Sequence, residues 1–96
     1  MNPHIELVKK FLADNDSVTE KELRANSNDA FDSWEAAYDA TWDATWDAGA
    51  AYHAAYWAYR AAYWAYWVVA ADNLENAEHY KQKAIEAIAE YEELTK

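Results

Sequence analysis

The residues best equipped for chemistry lie in the stretch HAAYWAYRAAYWAYW, positions 53–67. On a helix, His53, Tyr56, Trp57, Arg60, Tyr63 and Trp64 share one face over three turns, because residues three and four places apart return to the same side. Arg60 is the only Lys or Arg between Arg24 and Lys81. Tyr and Trp each offer a wide apolar face with a hydrogen-bonding tip, and a guanidinium offers a fork of donors that fits phosphate or carboxylate. The combination suits a flat anionic ligand, with the rings stacking it and Arg60, aided by His53, gripping its charge. The structural alternative is plainer: Arg60 stacks on a ring and pairs with a Glu of the last helix, while the rings form the core.

A second constellation is acidic. Asp32, Asp39, Asp43 and Asp47 fall close together on a flank of the same pattern, with Glu35 nearby. Carboxylates at i and i+4 stand ~6 Å apart along a helix axis, close to the spacing of phosphates on a nucleic-acid strand. Such a row could mimic DNA and block a basic groove of a host nuclease or polymerase. It could equally be a solvated flank whose first Asp residues complement a helix dipole.

Enzyme templates are missing. The chain has no Cys, hence no thiolate nucleophile, disulfide or thiolate metal site, and it has no phosphate-binding glycine loop and no zinc-protease motif. His4, His53 and His79 fall on separate expected elements, and Glu78 and His79 are adjacent, so they do not share a helix face. The chain is therefore expected to be non-enzymatic, with no metal and no cofactor. Eighteen acidic residues against eight Lys and Arg, a formal charge of −10, argue against direct nucleic-acid binding.

The elements that would position these groups are helical. Ala is abundant, while Gly and Pro occur once each, at Gly49 and Pro3, too few for the turns of a β protein. Asn2-Pro3 reads as a cap followed by proline in the first turn. Ile5, Val8 and Leu12, flanked by Leu7 and Phe11, mark the buried stripe of a helix ending near Asp14. Thr19 and Glu22 fit a capping box opening a short helix to about Asn26, with Val18 and Leu23 as anchors. Asn26-Ser27-Asn28-Asp29 reads as a second start.

From Phe31 the chain repeats every eleven residues: FDSWEAAYDAT, WDATWDAGAAY, HAAYWAYRAAY, WAYWVVAADNL. Bulky residues recur at block positions 1, 4, 5, 8 and 11, which fall within ~120° of one another on a helix. Eleven residues make ~3.67 per turn, so the stripe runs nearly straight. The phase passes through Gly49 unshifted. The repeat thus predicts one continuous helix over about 28–71, followed by a C-terminal helix over about 74–94 with Asp72 as N-cap. The competing reading breaks the chain at Gly49 and gives a compact bundle with helices 28–48, 50–71 and 74–94. Either way the chain is one all-α domain, residues 1–96, with segments 1–27, 28–71 and 72–96.

Lengths sharpen the expectation. A 28–71 helix would span ~66 Å, twice the ~30 Å diameter of a compact domain of this size. The other helices could cover one side of it, leaving an alanine-rich side open to a second copy. A homo-oligomer, or a self-assembling scaffold, is the expectation from this geometry.

The short amphipathic N-terminal helix, the acidic segment Thr19-Glu20-Lys21-Glu22-Leu23-Arg24 and the Ala run with recurring Trp together resemble small Ala/Trp-rich helical repeat proteins of bacteriophages and bacteria, some of them labelled putative immunity proteins. The likeness covers most of residues 5–71, though here Tyr replaces many Ala and Arg is nearly absent from the run. It implies a viral or bacterial conflict setting, in which the ligand-binding version would sequester a nucleotide signal against host defence. MNPHIELVKK carries charges where a signal peptide needs an apolar core, and the apolar stretch 48–71 holds His53 and Arg60 near its middle. A cytoplasmic location in a bacterial host, with no membrane insertion, is expected.

Overall fold

The computed structural model describes residues 2–41 and 46–96, the side chains of 40–50 apart. Within them the chain is all-α: α1 spans Pro3–Ala13, a 3-10 turn covers Asn15–Ser17, α2 spans Glu20–Thr41, α3 Trp46–Ala70 and α4 Leu74–Leu94.

The helix starts follow local chemistry. Asn2 Oδ1 accepts the His4 and Ile5 amides at 2.8 and 3.3 Å, which satisfies donors that the first turn leaves open. At α2 the capping box is complete. The Thr19 amide and hydroxyl donate to Glu22 Oε1 at 3.2 and 3.1 Å, and the Glu22 amide donates back to Thr19 Oγ1 at 3.1 Å. α4 spans the expected 74–94, but Asn73 rather than Asp72 is its cap, its Oδ1 accepting from the Asn76 amide at 2.8 Å.

Two expectations need correction. The segment Asn26–Asp29 does not restart a helix; α2 runs through it, so the expected boundary between 27 and 28 falls inside α2. Asn26 is 8% exposed, and its side chain is spent on α1: Nδ2 donates to the His4 carbonyl at 3.2 Å and Oδ1 lies 2.8 Å from His4 Nδ1. A residue that reads as a cap serves here as a tertiary clamp.

The larger correction concerns the helix expected over 28–71. It is two helices, one ending at Thr41 and the next starting at Trp46, while the backbone continues helically through Gly49. The single rod does not form; the compact all-α bundle of the competing reading does, with the division between Thr41 and Trp46 instead of at Gly49. Trp42, Asp43 and Thr45 of the repeat lie outside the described residues. A lone glycine costs a helix only ~1 kcal/mol, so its presence does not force a break. α2 and α3 run antiparallel, as the ring pairs Phe31–Tyr59, Trp34–Tyr56 and Tyr38–Tyr52 require. The described residues span 43 × 23 × 21 Å, and with the long rod gone, the reason for expecting a second copy goes too.

α3 is the central helix. It packs against α2, α4 and α1, while α2 and α4 do not touch among the described residues. α1 crosses one side of this row and touches all three of its helices. The core is one cluster. Ile5, Val8, Phe11, Val18 and Leu23 meet Ala30, the α3 stripe Ala58, Ala61, Ala62, Ala65, and Ala84, Ala87 and Ile88 of α4. The inside of the repeat is therefore its alanine face, the reverse of the expectation. Methyl side chains at i, i+3, i+4 and i+7 let neighbouring helices approach closely. Tyr and Trp rings are left to cover the helix flanks, most of them half-buried.

Candidate functional site

With α1 on the alanine side, the opposite side of the α2–α3–α4 row carries no helix among the described residues. Rings pave it in unbroken succession. Trp34 of α2 stacks on Tyr59 of α3 at 5.5 Å, and Tyr59 meets Tyr63 at 5.8 Å. Tyr63 in turn meets Trp67 at 6.1 Å, and Trp67 meets Tyr80 of α4 at 6.3 Å. Spacings of this order, with stacked, tilted or edge-on planes, are those of favourable ring pairs. Burial pushes the Tyr59 hydroxyl above its ordinary pKa, and Tyr63 adds to the effect while Arg60 opposes it. Tyr59 therefore remains a neutral donor through the physiological range.

Arg60 is half-buried on this side of α3, its guanidinium carbon 5.3 Å from the Trp64 ring, 5.9 Å from Tyr63 and 6.0 Å from Tyr56. No carboxylate pairs with it among the described residues. The ring-stacking half of the structural alternative is thus present and the Glu pairing is not. Glu86, which lines the same groove, instead pairs with Lys83 at 3.8 Å. That groove, about 300 Å³, lies between α3 and α4 and is lined by Trp57, Arg60, Trp64, Lys83, Glu86, Ala87 and Glu90.

The six residues singled out in the sequence divide. Tyr56, Arg60, Tyr63 and Trp64 are brought together around the guanidinium. Trp57 faces the α4 groove with its two carboxylates. His53 is exposed and meets Tyr52 edge-on at 5.3 Å; two turns, ~10 Å, separate it from Arg60, so the two do not form one grip.

Sequence reasoning passed over a second groove, of about 350 Å³, between α2 and α3. It is lined by Arg24, Ser27, Asn28, Phe31, Tyr59, Tyr63, Tyr66 and Trp67. Arg24 lies 6.0 Å over the Tyr66 ring. Five rings, one guanidinium and two small polar side chains line it without a single carboxylate, in a chain of net charge −10. The volume falls at the lower end of small-molecule sites, roughly 300–1,000 Å³. The available sequence signal was weak: Phe31/Tyr59, Trp34/Tyr56 and Tyr38/Tyr52 are each centred on position 45, as an antiparallel pair of helices would require.

On the acidic flank, Asp32, Glu35 and Asp39 are exposed and form no ion pair among the described residues. The side chains of Asp43 and Asp47 lie outside the described residues. Among the described residues no three His, Asp or Glu side chains gather as metal ligands, and no helix is long and apolar enough to cross a membrane.

Compared with protein families, with characterised proteins and with solved structures, the chain shows no match. Site geometry therefore carries the functional reading unaided.

Proposed function

We propose that this chain is a non-enzymatic binding protein that holds a flat, anionic, nucleotide-like small molecule against the ring-paved side of α3. The observation that carries the reading is Arg60: a half-buried guanidinium framed by three rings, with no acidic partner among the described residues. A cation so placed has unused donor capacity toward a phosphate or carboxylate, and the rings beside it stack on any flat group without regard to its identity. In the phage or bacterial setting implied by the resemblance, such a protein would sequester a nucleotide signal inside the host cytoplasm.

The test is a thermal melt with a panel of linear and cyclic nucleotides. A ligand that binds only the native state raises Tm, by about 2.7 kcal/mol of stability at a hundredfold excess over Kd. A rise that Arg60→Ala removes is the expected result. No rise across the panel, or an R60A protein that binds as well as wild type, refutes the reading. Light scattering separates it from a self-assembling scaffold, for which the mass would be a multiple of 11.1 kDa.

A second reading rests on the exposed, unpaired Asp32, Glu35 and Asp39. They would dock the protein on a basic groove of a host nuclease or polymerase in place of DNA. Retention on such a protein that ignores salt and the D32N and D39N changes excludes it.

A further inference from the structure

A second guanidinium, that of Arg24, also lies against the rings of α3. Arg60 lies over Tyr63, and Arg24 lies over Tyr66, one helical turn further along α3. Both rings line the α2–α3 groove, and Arg24 enters it from α2 beside Ser27 and Asn28. These two polar side chains make no side-chain hydrogen bond among the described residues, and neither does Arg24 form an ion pair there. Guanidinium, hydroxyl and amide together supply more donors than a carboxylate can use, whereas a terminal phosphate presents three acceptor oxygens. No acidic residue lines the groove to compete for them.

We infer that Arg24, Ser27 and Asn28 form a second anion subsite of the face proposed above, taking a terminal phosphoryl group. The ligand's flat part lies on Tyr59, Tyr63 and Trp67, and its other negative charge lies near Arg60. The ligand class is then a nucleotide with two separated phosphoryl groups, such as a 5′-phosphorylated dinucleotide, in place of a simple mononucleotide. This inference rests on the ligand reading of the Arg60 face.

Calorimetric titration with a diadenosine dinucleotide, with and without a 5′-terminal phosphate, tests it. The added phosphate is expected to tighten binding about tenfold, the scale of one charge-assisted contact. Arg24→Ala is expected to erase that gain while leaving the affinity for the unphosphorylated dinucleotide within about twofold, and Arg24→Lys to keep part of it. Arg24 is exposed, lies over the Tyr66 ring and is outside the buried cluster, so its removal leaves the core untouched; an unchanged melting curve of the free variant checks this. If the unphosphorylated dinucleotide binds but the terminal phosphate adds nothing, or R24A keeps the gain, the second subsite is overturned and the Arg60 reading stands. If neither dinucleotide nor any other nucleotide binds, both fail together.

Discussion

Trp34 of α2 lies flat against Tyr59 of α3, ring centroids 5.5 Å apart and planes 5° from parallel. Edge contacts to Phe31 at 5.6 Å and Tyr56 at 5.6 Å surround the pair. This stack joins two helices that a periodic reading of the chain fuses into one. It also has a cost, because Trp34 Nε1 is buried without a hydrogen-bond partner among the described residues.

Two substitutions at Trp34 separate the stack from the orphaned donor. Trp34→Ala is expected to cost about 2–3 kcal/mol, below the range for fully buried Trp because the residue is half-exposed. For a domain of this size that lowers Tm by about 10–20 °C. Trp34→Phe keeps a ring and removes the unpaired N–H, whose burial is itself unfavourable; its cost is expected to stay under about 1 kcal/mol. Equal losses for Ala and Phe in thermal denaturation would mean that the stack does not hold α2 on α3.

The alanine face supplies a second prediction. Ala62 is fully buried, so Ala62→Leu forces extra carbons into a closely packed helix interface and is expected to cost at least about 1–3 kcal/mol. Ala51, on the same helix but exposed, tolerates the same change within about 0.5 kcal/mol. Urea denaturation of both variants decides it. A harmless Ala62→Leu would show that the rings, not the alanines, form the inside.

A third prediction concerns pH. The Glu22 carboxyl is held below its ordinary pKa, first by the Thr19 amide and then by the Thr19 hydroxyl. Because the folded-state pKa is depressed, the contribution to stability is present above the ordinary Glu value and is lost as pH falls through the folded value. Glu22→Gln can still close the capping box but does not titrate. Wild type is thus expected to melt slightly above E22Q at neutral pH, with the two curves merging on acidification below the usual Glu range. A difference between them that stays constant from neutral to strongly acidic pH would remove the charge from the explanation.

Much of the candidate site was legible in the residues themselves. Tyr56, Arg60, Tyr63 and Trp64 converge as their helical spacing requires, because neighbours at i+3 and i+4 share a face whatever the helix packs against. Arg24 and Tyr66 were not legible as partners, since their meeting depends on where the chain reverses between α2 and α3. The eleven-residue phase concealed that reversal by continuing on either side of it.

What the chain determined by itself was local: the helical state, the Asn2 cap and the Thr19–Glu22 box, whose partners lie within three residues of each other. Only the tertiary structure decided which face of the repeat is inside. Periodicity shows that two faces differ, but with alanine on one and Tyr and Trp on the other, both are apolar enough to be buried. Packing resolves the choice, because three helices can close on the methyl groups of Ala58, Ala61, Ala62 and Ala65, while the larger rings fit on the flanks, where most stay half-buried. That outcome left the rings on the flanks of α3 and set Arg24 and Arg60 against them.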